Sequence, residues 1–366
     1  MNALELSDFL VHSYDYELPQ RLIATKPTVP RQNGKLLVYN RADKSITHTH
    51  FRDFCDIVPN DYTLICNDTK VIKARIYGFK DIAMQGKRVE IFFHKPFIDT
   101  CVEQNIPTFL VQMRGKLKEG ACVFIESSKQ DLTYRGVVAR VERLLDNGMR
   151  VVSFWQDKNL QTPLTTNQVL DLFETLGHIP LPPYIKREDN LSDERDYQSV
   201  FAKHIGAVAA PTASLHFTHK DFERLKHSYD IAYLTLHIGA GTFGSVNCED
   251  IRDFVIHKES FVIPPLTQDI VRNSDKKILC IGSTSARVVE YFYRTKSQEG
   301  ECDIFLHPKN PPMRVNALLT NFHLPKSTLL MMISGFVGRE ECLRIYKCAI
   351  ERGYKFYSYG DGMVIL

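Results

Sequence analysis

The sequence predicts an α/β protein: a mixed α/β core domain with an inserted antiparallel β-barrel domain. Two observations carry this. Between residues 70 and 156, six short β-favouring runs alternate with turn material such as Gln85-Gly86, Lys118-Glu-Gly120 and Asp146-Asn-Gly148, with almost no helical periodicity. After residue 156, apolar strands alternate with amphipathic helices. The expected division is a core of residues 1–69 plus 157–366 and a barrel of residues 70–156, which a length of 366 residues accommodates.

The segment from Tyr14 to Arg31 is rich in proline and reads as an irregular strap. Lys35–Tyr39 and Ser45–His50 form a hairpin, Phe51–Ile57 a short helix, and Tyr62–Cys66 a buried strand running into Asn67-Asp68-Thr69. The barrel strands are expected at Val71–Tyr77, Arg88–Phe93, Thr108–Val111, Cys122–Ile125, Tyr134–Val141 and Met149–Trp155. Asn167–Leu176 is an amphipathic helix closed by Gly177, and Ile179–Ile185 holds too many prolines for helix or central strand. Lys186–Glu194 reads as a charged loop. Further strands follow at Ile231–Leu236, Lys277–Ile281, Ala317–Thr320 and Tyr354–Tyr359, and helices at Asp221–His227, from Ala286 through Tyr293, from Ser327, and at Glu340–Glu351.

A hydrophobic share of 44% with 24% charged residues is that of a globular protein, and a net charge of +3 confines any basic surface to a local patch. Nine cysteines are scattered without a C-x-x-C pair, which argues against zinc and for reduced thiols. The first residues carry Glu5 and Asp8 and no signal-peptide pattern, and the apolar run Leu329–Ile333 is too short to span a bilayer. The expectation is a cytoplasmic protein with no metal and no membrane anchor.

Within Gly206–Thr218, small residues precede Thr212, Ser214, His216 and Thr218 at alternate positions, so an extended segment would present all four on one face. Four polar loops are expected beyond strand ends, where α/β sheets bind ligands: His237–Gly244, Gly282–Arg287, Asn321–Thr328 and Ser358–Gly362. Gly282-Ser-Thr-Ser-Ala-Arg287 opens a helix, so free amides with Ser283, Thr284, Ser285 and Arg287 make an anion site or an N-cap cluster. Gly239-Ala-Gly241-Thr-Phe243-Gly244 fits a dinucleotide fingerprint, but no apolar-periodic helix follows it. His216, His237 and His323 adjoin these loops and are candidates for proton transfer.

Leu-Gly-His-Ile-Pro-Leu-Pro-Pro-Tyr-Ile (176–185), Ala-Ala-Pro-Thr-Ala-Ser-Leu-His-Phe-Thr (209–218), Leu-His-Ile-Gly-Ala-Gly-Thr-Phe (236–243), Thr-Asn-Phe-His-Leu-Pro-Lys-Ser-Thr-Leu-Leu-Met (320–331) and Tyr-Gly-Asp-Gly-Met (359–363) together resemble the S-adenosylmethionine:tRNA ribosyltransferase-isomerase family of queuosine biosynthesis. The resemblance covers nearly the whole chain. Ser214 stands where the family usually has Gly, Gly34-Lys35 where it has Ser-Arg, and Lys309–Pro312 where it has a glycine turn. The resemblance implies transfer and isomerisation of the ribosyl part of S-adenosylmethionine onto 7-aminomethyl-7-deazaguanine at the tRNA wobble position. S-adenosylmethionine is then a co-substrate, tRNA a partner, and no further cofactor is implied.

On that chemistry the sulfonium acidifies the neighbouring hydrogens, a base removes one, adenine departs and the amine of the tRNA base adds. The candidate base is His216, with His237 and His323 as secondary candidates and Thr212 and Ser214 orienting substrate. Phe217, Phe243 and Tyr359 are candidates for stacking on adenine or the sulfonium, Asp361 for balancing its charge, and Gly239, Gly241 and Asn321 for further contacts. Ser283, Thr284, Ser285 and Arg287 would hold the methionine carboxylate. Lys73, Arg75, Lys87, Arg88, Arg114, Lys116 and Lys118 are candidates for tRNA phosphates. The oligomeric state is open, with a monomer favoured. The alternative readings are a nicotinamide-dependent oxidoreductase and a non-catalytic RNA-binding protein.

Overall fold

The structure, a computed structural model, describes residues 6–97, 106–127, 133–146, 148–239, 241, 246–273 and 275–366. Its strands are β1 (Lys35–Tyr39), β2 (Ile46–His50), β3 (Tyr62–Asn67), β4 (Thr69–Val71), β5 (Arg75–Phe79), β6 (Val89–Phe97), β7 (Thr108–Met113), β8 (Cys122–Ile125) and β9 (Val138–Leu144). They continue with β10 (Arg150–Trp155), β11 (His204–Ala207), β12 (Asp230–Leu236), β13 (Glu259–Val262), β14 (Lys277–Ile281), β15 (Glu299–Cys302), β16 (Ala317–Asn321) and β17 (Gly362–Ile365). The chain forms two compact units. One comprises the residues up to Lys70, Pro182–Lys186 and Arg195–Leu366; the other comprises Val71–Leu181 and Arg187–Glu194.

The first unit is built on a nine-stranded sheet in the order β15-β13-β12-β3-β14-β16-β17-β1-β2. The central strands β12, β3, β14 and β16 are mutually parallel, whereas β17 is antiparallel to β16 and parallel to β1. Successive residues of these strands enter two different apolar clusters. Leu37, Ile65, Cys280 and Leu318 belong to one, and Leu36, Leu64, Leu279 and Leu319 to the other. Both faces are therefore core, which is why the central strands read as unbroken apolar runs. Helices Ser283–Thr295, Thr328–Val337 and Arg339–Glu351 cover one face with residues such as Phe292, Met331 and Ile345; Phe54, Phe217 and Leu225 cover the other.

Because β12, β3, β14 and β16 run the same way, their carboxyl ends share one edge of the sheet, and the loops beyond them gather there. The expected strand at Tyr354–Tyr359 does not form. Its aromatic residues are apolar because Tyr354 and Phe356 are core, while the backbone makes a tight loop in which a Cβ on Gly360 would lie 2.5 Å from the Lys355 carbonyl. The strand instead is β17. Since it opposes β16, with Asn321 paired to Gly362, the loop before β17 reaches the same edge as the loop after β16.

The second unit is a closed barrel of six strands, β10-β7-β6-β5-β8-β9, every neighbouring pair antiparallel. The run expected as one strand from Val71 breaks into β4 and β5. Helix Thr166–Leu176 belongs to this unit: its Phe173 ring meets Phe93 at 5.2 Å and Phe154 at 5.9 Å. Thr165 caps the helix through a reciprocal bond with Gln168, and at Gly177 any side chain would strike the Phe173 and Lys73 carbonyls.

Candidate functional site

A cavity of about 380 Å³ lies within the first unit, where the strand-end loops converge. Pro211 breaks the small-residue run, and Thr212–His216 winds into a 3-10 turn instead of an extended segment. That overturns the expectation of a single polar face. With three residues per turn, the side chains fan out. Thr212 lines the cavity and donates its hydroxyl hydrogen to Asn321 Oδ1 at 2.8 Å. Ser214 is buried and donates to the Pro211 carbonyl at 2.5 Å. Thr218 leaves the site altogether, capping helix His219–Ser228 with Asp221.

Asn321, at the end of β16, is the hub of this wall. Its Nδ2 lies 3.4 Å from the Gly360 and Asp361 carbonyls and 3.4 Å from His216 Nε2. His216 is buried behind it, stacked on Phe51 with centroids 3.7 Å apart, and does not line the cavity. A Cβ on Gly34 would come within 2.9 Å of this imidazole, so the glycine permits the ring's position. Burial, with a smaller push from the Arg31 charge, moves the His216 pKa from 6.5 down to about 3, against an opposing bond with the Gly360 backbone.

This has a consequence for acid stability. The folded protein keeps His216 neutral, while the unfolded chain binds a proton below pH 6.5. Stability from this residue is therefore full above pH 6.5 and falls as the pH drops towards 3, by about 1.4 kcal/mol per unit. Urea unfolding is expected to show about 2 kcal/mol more loss from pH 7 to pH 5 in the wild type than in His216→Phe. Equal losses would contradict the neutral, buried imidazole.

His323 lines the cavity, with Nε2 2.9 Å from Thr320 Oγ1, and burial lowers its pKa to about 3. His237 does not line it. Its Nδ1 is 2.8 Å from Thr69 Oγ1 and its ring rests on Gly206, where a Cβ would approach to 2.7 Å. Burial, then repulsion from His204, lowers its pKa, with Asp68 opposing.

Beyond β14, helix Ser283–Thr295 presents Ser283 and Thr284 to the cavity, Thr284 Oγ1 accepting from Asn67 Nδ2 at 3.2 Å. Ser285 faces the helix instead, donating to the Ile281 carbonyl at 2.9 Å. Arg287 borders the cavity but is already engaged. It pairs with buried Glu259 and donates to the His257, Cys302 and Ile304 carbonyls. Glu259 Oε1 also accepts from Gly239 N at 3.1 Å.

Gly241 packs on the His257 ring, and residues 246–250 beyond the glycine loop are not helical, so the loop lacks the helix that a dinucleotide fingerprint opens. Phe243 lies outside the described residues. Phe217 is a core residue packed between Phe51, Phe54 and Phe201. Tyr359 is buried edge-on against Tyr197. The Asp361 carboxylate accepts the Lys35 and Lys355 amides, each at 2.7 Å, and is spent on pinning backbone; burial still raises its pKa.

The cavity wall also holds Tyr197, Glu259 and Tyr357, which lie outside the four loops expected there, and Lys326 and Ser358, which lie inside them but are not among the candidates singled out. Lys326 and Tyr357 have φ of 58° and 79°, a region non-glycine residues seldom occupy and one found at functional sites. No pattern of residue types announces such a φ. Among the described residues, no cluster of three or more His, Cys, Asp or Glu is placed to hold a metal, and no helix is long and apolar enough to cross a membrane.

The barrel cations are mostly compensated. Lys73 pairs with Glu194 at 2.9 Å, Arg75 and Arg114 approach Glu90 at 3.6 and 3.7 Å, and Arg88 pairs with Glu126 at 2.7 Å while stacking over Tyr77. Lys87, Lys116 and Lys118 are exposed.

A queuosine biosynthesis protein family model matches residues 11–365. An S-adenosylmethionine:tRNA ribosyltransferase-isomerase of Helicobacter hepaticus is 52% identical over 99% of this chain and 98% of its own. Its namesake from Campylobacter jejuni is 51% identical over 98% and 99%. Among solved structures, an S-adenosylmethionine tRNA ribosyltransferase from Thermotoga maritima is similar with a TM-score of 0.51 and 27% identity, over 97% of this chain and 100% of that one. With the match running through both the barrel and the cavity loops, the chain belongs to the queuosine biosynthesis family of S-adenosylmethionine:tRNA ribosyltransferase-isomerases.

Proposed function

We propose that this protein transfers and isomerises the ribosyl moiety of S-adenosylmethionine onto 7-aminomethyl-7-deazaguanine at the tRNA wobble position, releasing adenine and methionine and leaving epoxyqueuosine-tRNA. The observation that carries the reading is identity of about one half, sustained over nearly the full chain, with relatives bearing that activity in their name. The cavity suits the co-substrate. It is of ligand size, and it joins an ionic pair, Glu259 and Arg287, to a wall of Tyr197, Tyr357 and small alanines. Ser283 and Thr284, at the N-terminus of the helix that carries Arg287, offer donors to the methionine carboxylate.

Of the three candidate histidines, His323 is the one that borders the cavity, where burial keeps its imidazole unprotonated at neutral pH with Nε2 2.9 Å from Thr320 Oγ1. We assign it the base. His216 acts through Asn321, and Thr212 orients the ribosyl group. Because Thr212 already donates to Asn321, it meets the substrate as an acceptor, which fits a ribose hydroxyl. Lys87, Lys116 and Lys118 are assigned to tRNA phosphates. The protein acts as a cytoplasmic monomer without metal or redox cofactor.

Incubation with S-adenosylmethionine and tRNA carrying the aminomethyl-deazaguanine base should release adenine and methionine in equal amounts, followed by chromatography. Formation of S-adenosylhomocysteine and methylated tRNA would instead identify methyl transfer and refute the reading.

A further inference from the structure

Among the described cavity-lining residues, Tyr197 is distinctive: its hydroxyl is sealed from solvent and in hydrogen-bond geometry with no protein group. The side chain is 1% exposed. The oxygen lies near the Ala210 backbone and the Ser358 side chain, close enough for a weak interaction with each but out of line for a formed hydrogen bond, and both of those residues line the cavity. Burial raises its pKa, so the O–H keeps its proton. A buried donor with no well-formed hydrogen bond is destabilising and rare in folded proteins.

The turn that carries Ser358 is strained as well. Tyr357 holds φ of 79°, its ring packed on Tyr184 with centroids 4.1 Å apart, and the Ser358 amide donates to the Tyr184 hydroxyl at 3.1 Å. The Ser358 side chain thus lies between the Tyr184 and Tyr197 hydroxyls, held by a backbone conformation that other contacts must enforce. Two unfavourable features meeting at one point of a cavity wall indicate that a ligand completes it.

We propose that Ser358 and Tyr197 form the donor pair that reads the purine ring of the co-substrate. The Ser358 O–H donates to a ring nitrogen, N3 or N7, and the Tyr197 O–H donates to Ser358 Oγ, polarising it. This rests on the function proposed above. The surrounding wall of tyrosines and alanines fits a planar base, whereas the polar helix N-terminus of Ser283 and Thr284 elsewhere in the lining fits a carboxylate. When the C1′–N9 bond breaks, its electron pair enters the purine and spreads over the ring nitrogens, so a donor at N3 or N7 binds the departing base more strongly than the intact nucleoside. Both hydroxyls retain their protons. The proton that His323 takes from the carbon beside sulfur is returned to the departing purine, which leaves as neutral adenine. Ser358 is then a catalytic residue and Tyr197 a positioning residue.

The test is single-turnover base release by wild type, Ser358→Ala, Tyr197→Phe and the double variant, with S-adenosylmethionine and its 3-deaza and 7-deaza purine analogues. Ser358→Ala should turn over about 100-fold more slowly with little change in KM, Tyr197→Phe about 10-fold more slowly, and the double variant no worse than Ser358→Ala. On one of the two deaza analogues, Ser358→Ala should lose nothing further relative to wild type. Tyr197→Phe should melt no lower than wild type, because it sheds an unpaired donor. A competent wild type whose variants turn over normally, or lose equally on all three co-substrates, would overturn the donor pair alone. A wild type that releases no base from any of them would overturn the functional reading with it.

Discussion

Asn321→Ala is expected to lower tRNA-dependent adenine release by about 100- to 1,000-fold, roughly 3–4 kcal/mol in the barrier. The side chain ties two segments to the end of β16: the 3-10 turn that carries Thr212 and His216, and the loop before β17 through the Gly360 and Asp361 carbonyls. Alanine removes the acceptor that turns the Thr212 hydrogen away from the substrate, so the hydroxyl presents the wrong polarity to the cavity. It also leaves the two carbonyls and the His216 nitrogen without their common donor. Asn321→Asp separates these effects, since it keeps an acceptor for Thr212 but sets a carboxylate against two carbonyls. Activity of the aspartate variant no better than that of alanine would show that the donor side dominates. An alanine variant with wild-type turnover would remove Asn321 from the site.

Glu290→Ala is expected to cost about 3–5 kcal/mol of stability. Glu290 is wholly buried, and its carboxylate accepts the Met313, Arg314 and Val315 amides at 2.9, 2.7 and 2.8 Å, with Arg294 Nη2 at 3.4 Å. Removing it strands three amides in the interior, while Arg294 keeps its bonds to Asn310 Oδ1 and the Pro311 carbonyl. Glu290→Gln retains an acceptor and should cost less, about 1–3 kcal/mol. Urea unfolding at neutral pH measures both. Because residues 313–315 feed directly into β16, the alanine variant should also lose activity in step with its stability, and a variant as stable as wild type would contradict this bonding pattern.

The parts of the fold legible in the sequence were those whose environment is uniform. Strands β3, β14 and β16 are buried on both faces and read as apolar runs; the barrel declared itself through glycine turns between short strands. Strands at the margin were missed for the converse reason. β15 is Glu-Gly-Glu-Cys, exposed along three of its four residues, and β13 carries Glu259, whose burial depends on an arginine 28 positions away. Helix Pro265–Asn273 opens on a proline that looks like a loop residue until its place in the first turn is known. The site followed the same division. Which loops converge was legible because parallel strands end together, and Thr212, Ser283, Thr284, Asn321 and His323 do border the cavity. Which side chains within a loop face inward was not. One 3-10 turn turned Ser214 and His216 away, and one helical back-bond removed Ser285.

The Lys35 amide meets the Asp361 carboxylate across 326 residues of chain, beside the parallel pairing of β1 with β17. Contacts of such sequence separation are assembled late, since the entropy of closing so long a loop is lost before the pairing returns anything. The loop that carries Ser358 and sets the carbonyls for Asn321 is held by this same pairing. After dilution from denaturant, the barrel, made of neighbouring strands, should regain its structure first. Catalytic competence should return only in the slowest phase, as the last step of renaturation.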